Sequence, residues 1–375
     1  MEIRPFGVEM WMNEFETKCE LNLAETCVQA MTLGELFDMT GQHNSILSDL
    51  SAMQMTYGAI EGSERLRDAI CGLYDNQTRD NILTTHGTIG ANSLVHQTLV
   101  SHGDHVISVI PTYQQHYSIP ASIGAEVELL HLREENAFLP DLNELRAMLR
   151  PDTRLIAINN PNNPTGALMS REMLLEIAEI ARGVGAWLLC DEVYRGTDQT
   201  GEGFTDAVAD LYEKGISTAG MSKAYSLAGL RVGWIAGPRE LLEDVMVHRD
   251  YNTIAVGQVD ELLAAMALEH RDKILERSRR ITRENLQIVK GWITNEPLLS
   301  WVVPKSGTTA LLKYDLPMSS RAFCEALLKE EGVMLTPGSA MDMEGWLRLG
   351  YTNPVEDLKI GLARLSGFLK RHGEA

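Results

Sequence analysis

The sequence contains no run approaching eighteen apolar residues, and so no segment that reads as a membrane-crossing helix. It has no long cluster of basic residues either. Lysine and arginine total 33 against 52 acidic residues, a formal charge of −19, which argues against nucleic acid or an anionic membrane surface as a partner. Cysteine is scarce: Cys19, Cys27, Cys71, Cys190 and Cys324 are odd in number and widely spaced without a C-x-x-C pair, so neither a disulfide framework nor a zinc site is indicated. The first residues carry an acid at Glu2 and no apolar leader-like stretch, and the expectation is a cytoplasmic protein with reduced thiols. Repeats of fixed period and low-complexity segments are missing as well.

What the chain does have is an ordinary globular composition, 44% hydrophobic and 23% charged, and more length than one core needs. That leaves two domains, or one large α/β domain with a smaller companion. Apolar runs at His105–Ile110, Val127–His131, Leu155–Asn159, Ala186–Cys190, Ile216–Ala219 and Val232–Ala236 read as strands, several of them continuous enough to be buried on both faces of a mainly parallel sheet. Helices such as Asp141–Leu149 and Arg171–Arg182 supply the crossovers. Ahead of them, Ser63 is placed to cap a helix carrying Leu66, Ala69 and Ile70, Trp11–Glu16 starts an amphipathic helix, and Leu21–Ala30 reads as an extended arm. Later, Glu240–His248 and Gln258–Val289 have helical period, the second expected as one long helix bridging two lobes. A smaller α/β unit follows in Trp301–Pro304, Thr309–Tyr314, Arg321–Glu330, Val333–Thr336 and Trp346–Gly350.

In a parallel sheet, ligands gather beyond the carboxyl ends of the strands, and several chemically apt residues fall there. Lys223 stands among small residues in Met221–Trp234, where enclosure should strip hydration and favour an amine nucleophile able to form an imine with an aldehyde. Ser222 and Arg231 offer hydroxyl and charge for a phosphate, although the same pair suits a surface loop. Gly87-Thr88-Ile89-Gly90, between the strand-like Asn81–Thr85 and the helical Ala91–Val100, is a candidate phosphate cradle or simply a tight turn. Tyr113, following Pro111-Thr112 at a strand end, can stack on a flat ring or fill the rim of the core. Asn159–Gly166 is rich in turn formers and also in amide donors. Asp191 ends an apolar strand, a costly place for a charge unless it meets a cation such as a pyridinium nitrogen, and Tyr194 follows three residues on. Arg348, inside Trp346–Tyr351, presents a planar fork suited to a carboxylate, or snorkels to the surface.

From about Tyr57 to Arg348 these strings resemble the class I/II aminotransferases, fold-type I enzymes that use pyridoxal 5'-phosphate (PLP). The resemblance implies a large α/β domain whose mainly parallel sheet is sandwiched by helices, and a smaller α/β domain built from both termini. It implies residues 1–50 as an arm and part of the small domain, 51–250 as the PLP-binding domain, and 251–375 as an interdomain helix with the rest of the small domain. Lys223 would form the imine and later carry the α-proton, Asp191 would face the ring nitrogen, Asn163 and Tyr194 the phenolate oxygen, and Tyr113 the ring. Phosphate would fall to Gly87, Thr88, Ile89, Ser222 and Arg231, with Tyr57 reaching in from the other subunit of a homodimer. Arg348, together with Asn163, would bind the substrate, Arg348 taking its α-carboxylate, and Glu25, Thr26 and Gln29 of the arm are candidates for touching substrate. Gly220 departs from the family, which often has a hydroxyl residue there. The implied reaction moves the amino group of an L-amino acid to a 2-oxo acid, and no metal is implied.

Thr85-His86-Gly87, Ser222–Trp234, Arg249-Asp250-Tyr251 and Arg348-Leu349-Gly350 also look like capreomycidine synthases, PLP enzymes that eliminate a β-hydroxyl from hydroxyarginine and cyclise its guanidinium. Asp191-Glu192-Val193-Tyr194 looks more like an ordinary aminotransferase, so an eliminating or cyclising enzyme acting on an arginine derivative stands as the alternative.

Overall fold

The computed structural model describes residues 2–374. Its larger sheet has seven strands: β1 (Ile82–His86), β2 (His105–Ile110), β3 (Glu126–His131), β4 (Thr153–Asn159), β5 (Trp187–Asp191), β6 (Gly215–Gly220) and β7 (Val232–Ala236). They lie in the order β1-β7-β6-β5-β4-β2-β3, parallel except that β7 runs against both β1 and β6. Alternate side chains feed opposite faces, as the pleat requires. Ile107, Val109, Ile156, Ile158, Leu188 and Cys190 join one apolar core, while Val106, Leu155 and Leu189 join the other. Burial on both faces is why these strands read as unbroken apolar runs.

Strand register sets the level of the site. Asn159 of β4 pairs with Asp191 of β5, and Asp191 with Thr218 of β6, so three polar residues stand at one height on adjacent strands, the first two as strand ends. The helix after β1 spans Gly87–Leu99 and so begins four residues earlier than its apolar pattern suggests, because Gly87 itself takes the turn at φ +67°.

A smaller antiparallel sheet is formed by β8 (Leu299–Trp301), β9 (Thr309–Tyr314), β10 (Thr336–Pro337) and β11 (Trp346–Gly350), in the order β10-β11-β9-β8. Trp11, Leu23 and Ala24 share its apolar core with Phe323, Leu347, Leu365 and Phe368, so both ends of the chain build it. The Trp11 indole donates to the Leu335 carbonyl at 2.9 Å, and Leu21–Asn22 pairs in parallel with Val333–Met334.

Three segments differ from expectation. The first helix runs Gly7–Phe15 rather than starting at Trp11. Val333–Thr336 is divided between two sheets, Val333–Met334 pairing with the arm and Thr336–Pro337 with β11. The stretch expected as one bridging helix is two, Gln258–Glu269 and Arg271–Ile293, separated at His270. Their burial explains the break: Leu263 to Leu268 are all enclosed in the core beside β7, whereas the second helix buries one stripe, from Ile274 and Leu275 in that core to Leu286, Val289 and Ile293 in the small-sheet core. Ser63 caps the helix Glu64–Cys71 as anticipated, its hydroxyl accepting from the Leu66 N–H at 3.3 Å.

Candidate functional site

The carboxyl ends of β4, β5 and β6 open into a cavity of about 320 Å³, closed on the other side by the amino-terminal segment. Thr88, Ile89, Tyr113, Asn163, Asp191, Tyr194, Ser222, Lys223, Arg231 and Arg348 all line it, drawn from residues 260 positions apart in sequence (348 − 88 = 260). Of the arm candidates, Glu25 and Thr26 line it too. Gln29 does not; its backbone is tied to Thr352 and Arg277 instead. Tyr57 lies outside this chain's cavity and is 75% exposed.

Lys223 Nζ donates to Thr26 Oγ1 at 2.6 Å and to Cys27 Sγ at 3.4 Å. Burial pulls its pKa down, but the Cys27 thiol, the Tyr194 phenol and the Glu25 carboxylate outweigh burial and hold the amine above its ordinary value. Enclosure alone therefore does not depress this lysine, contrary to the expectation from its small neighbours. The opposing groups come from the arm and from the turn after β5, too distant in sequence to be paired with it. Burial likewise pushes Glu25 up, yet Lys223 and the N–H groups of Thr26 and Cys27, which donate to its Oε1 at 2.6 and 2.7 Å, bring it below the usual carboxylate range.

Asp191 is 4% exposed and held from several sides. Its Oδ2 accepts from the Asn92 amide at 2.8 Å and lies 3.6 Å from His116 Nε2; its Oδ1 accepts from the Val193 N–H at 3.1 Å. His116 Nδ1 stands 3.2 Å from Nε2 of the buried His96, and Thr218 donates to Asn92 Oδ1 at 2.6 Å, so a buried polar file backs the carboxylate. Sequence reasoning missed this file. The one signal available was spacing: Asn92 and His96 follow Thr88 at intervals of four on one helix face.

At the opposite end, the glycines make room. A Cβ on Gly87 would sit 2.8 Å from the Arg231 guanidinium, and one on Gly233 would fall 2.3 Å from the Gly87 carbonyl carbon. Gly220 is explained the same way, since a Cβ there would lie 2.7 Å from Thr88 Oγ1 and 3.0 Å from the Val232 carbonyl. Thr88 takes the space that a side chain at 220 would need. Arg231 donates only to the neutral oxygens of Ser222 and Ala228, at 3.5 and 2.8 Å, and buried Thr88 Oγ1 has no partner among the described residues.

Arg348 is 3% exposed; its fork donates to Ala24 O, Thr336 Oγ1 and Asn163 Oδ1 at 3.2, 3.1 and 3.4 Å, and its Nε is left without a partner among the described residues. Burial lowers its pKa, opposed by Tyr194, Glu25 and Glu9. Asn163 is set by its own N–H donating to Asn159 Oδ1 at 2.7 Å. The Tyr113 phenol donates to Glu9 Oε1 at 2.8 Å, with its ring 4.7 Å from Phe6. Burial raises the Tyr194 phenol, partly offset by Lys223 and Arg348.

An unpaired hydroxyl, an arginine with no carboxylate partner among the described residues, a lysine and a buried carboxylate, all lining one cavity, fit a cofactor with a phosphate, an aldehyde and a ring nitrogen. Pyridoxal phosphate has those three groups.

The family model described as aminotransferase class I and II matches residues 45–365. Capreomycidine synthase of Streptomyces vinaceus is 31% identical over 368 residues, 97% of this chain and 94% of that protein. The crystal structure of a PLP-dependent aminotransferase from Streptococcus suis superposes with a TM-score of 0.96 at 43% identity, covering 99% of each chain. The PLP-dependent cyclase OrfR is similar at 29% identity and a TM-score of 0.91, over 99% of this chain and 98% of that one.

Proposed function

The chain belongs to the aminotransferase class I and II family and is a PLP-dependent transferase, and from that premise we propose that Lys223, Asp191 and Arg348 carry the transfer of an amino group from an L-amino acid to a 2-oxo acid. The observation that carries the residue assignment is that these three, remote in sequence, line one cavity.

When bound, PLP supplies an aldehyde to hold the amino group and a ring that draws electrons from the α-carbon. Thr88, Ser222 and Arg231, with the Gly87–Ile89 turn at a helix N-terminus, hold its phosphate. Asp191 keeps a proton on the ring nitrogen, and the Asn92 and Val193 donors fix the carboxylate's direction. Asn163 and Tyr194 would hold the phenolate oxygen, and Tyr113 would offer its ring to the cofactor's. Arg348 binds the substrate α-carboxylate in a water-poor setting, where a charge-assisted pair contributes most. Lys223 Nζ removes the α-proton and returns it; Thr26 Oγ1 accepts from that amine and Cys27, Tyr194 and Glu25 favour its protonated form, so a proton taken up there is retained for the return step.

Tyr57 is proposed to complete the phosphate site of a second copy. Met55, Tyr57 and Tyr251 are exposed on adjoining segments, where a Cβ built on Gly58 would lie 3.4 Å from the Val256 carbonyl, which supports an apolar homodimer face. We divide the chain into an arm (1–50), a cofactor domain (51–250), and a bridging helix with small domain (251–375). A cytoplasmic location is supported by five free cysteines.

The similarity to capreomycidine synthase and to OrfR supports a second reading, an eliminating or cyclising enzyme of specialised amino-acid metabolism. Mixing holoenzyme with single amino acids separates the two. Transamination predicts a spectral change that reverses only when a 2-oxo acid is added; ammonia or a cyclised product formed without any acceptor would displace it.

A further inference from the structure

The cavity has two unlike walls. The large sheet and the connection between β6 and β7 contribute Asp191, Lys223 and Arg231, each already given to the cofactor, whereas the amino-terminal segment contributes three carboxylates, Glu9, Glu16 and Glu25. No basic side chain hydrogen-bonds to any of the three among the described residues. Glu9 accepts from the Tyr113 phenol, and Glu25 from two backbone N–H groups. The charged groups facing them are Lys223, opposite Glu25, and Arg348, within electrostatic reach of Glu9 and Glu25.

Arg348 independently points to a ligand. It lines the cavity 97% buried (100 − 3) with its Nε unpartnered, a position that an arriving anion would relieve. Once a substrate α-carboxylate occupies Arg348, and Lys223 and Arg231 serve the cofactor, no cation lining the cavity is left to answer the three carboxylates. Val8 and Met12, on the same wall as Glu9 and Glu16, offer apolar contact to a methylene stem.

We propose that Glu9, Glu16 and Glu25 select substrates with a cationic side chain, an amine or a guanidinium, and turn away dicarboxylic amino acids. The inference rests on the proposed function, because it requires Arg348 to hold the α-carboxylate. An acidic side chain would meet like charge without a compensating arginine, and a neutral one would leave the carboxylates unanswered.

The test uses three acids that lack an α-amino group and so cannot be consumed: ε-guanidinocaproate, hexanoate and adipate, with tails of positive, zero and negative charge. Calorimetric titration into holoenzyme should find ε-guanidinocaproate about tenfold tighter than hexanoate, and adipate weaker than both. In the Glu9→Gln/Glu16→Gln double variant and in Glu25→Gln the guanidinium preference should shrink severalfold. Hexanoate or adipate binding wild type as tightly as ε-guanidinocaproate would overturn the proposal, whatever the variants do. Binding in that wrong order with cofactor absorbance and transamination intact leaves the proposed function standing. If none of the three binds, Arg348 is not the carboxylate receptor, and both the assignment and this inference fall.

Discussion

At the scale of single residues, neighbours decide whether burial prevails. Lys223 and Arg348 are both enclosed, yet the amine is raised and the guanidinium lowered, because Cys27, Tyr194 and Glu25 crowd the first while burial dominates at the second. Lys223→Ala should abolish the internal cofactor absorbance and reduce turnover roughly thousandfold or more, read by spectrum and assay on one preparation. Arg348→Ala should weaken amino-acid binding with cofactor retained, visible as a rise in KM without loss of bound PLP. Glu192, next to Asp191, faces away from the cavity: Ser217 Oγ and the Val208 N–H donate to its Oε1 at 2.7 and 2.9 Å, Oε2 has no partner among the described residues, and burial pushes its pKa up to about 7 from 4.5. The folded state therefore holds a proton that the unfolded chain releases. Stability is fully present below about pH 4.5 and lost as pH rises through about 7, a change on the order of 3 kcal/mol. Glu192→Gln should flatten that slope in denaturant unfolding measured across the interval.

At the scale of elements, the phosphate end is a matter of clearance. The turn from β1 into the helix Gly87–Leu99 needs a left-handed residue whose missing side chain admits Arg231, and β6 needs Gly220 to admit Thr88. Gly87→Ala should lower stability by about 1 kcal/mol through its positive φ. It should also weaken PLP retention about tenfold by displacing the guanidinium, followed as cofactor loss on dilution. The same clearance explains why a family pattern with a hydroxyl residue at 220 is not followed here: Thr88 Oγ1 already fills the space that such a side chain would need.

At the scale of the whole molecule, the helix Arg271–Ile293 spans from the core beside β7 to the core of the small sheet, and the amino-terminal segment crosses from one to the other over the cavity mouth. The cavity is thus walled in part by chain that lies outside the large sheet. Tyr57, 75% exposed, is the residue proposed to serve a second copy. Sedimentation should find a dimer, and Tyr57→Phe should leave that dimer intact while raising the PLP dissociation constant roughly tenfold, the worth of one hydrogen bond to a charged group.

Much of this was legible from the chain alone because the signals are local. Apolar runs with their pleat alternation specify buried strands, and a lysine, an aspartate or an asparagine-proline turn at a strand end keeps its meaning wherever the strand is placed. The sequence alone thus determined the strands of the large sheet and marked candidate residues at their ends, and its resemblance to the class I/II aminotransferases implied the cofactor class. Tertiary structure alone decided what depends on distance between remote segments: the His96–His116–Asn92 file behind Asp191, the break at His270, the charge state of Lys223, and the carboxylates of the first helix and arm facing Arg348. None of these has a sequence period, because each is a contact between elements whose approach is set by packing and not by spacing along the chain.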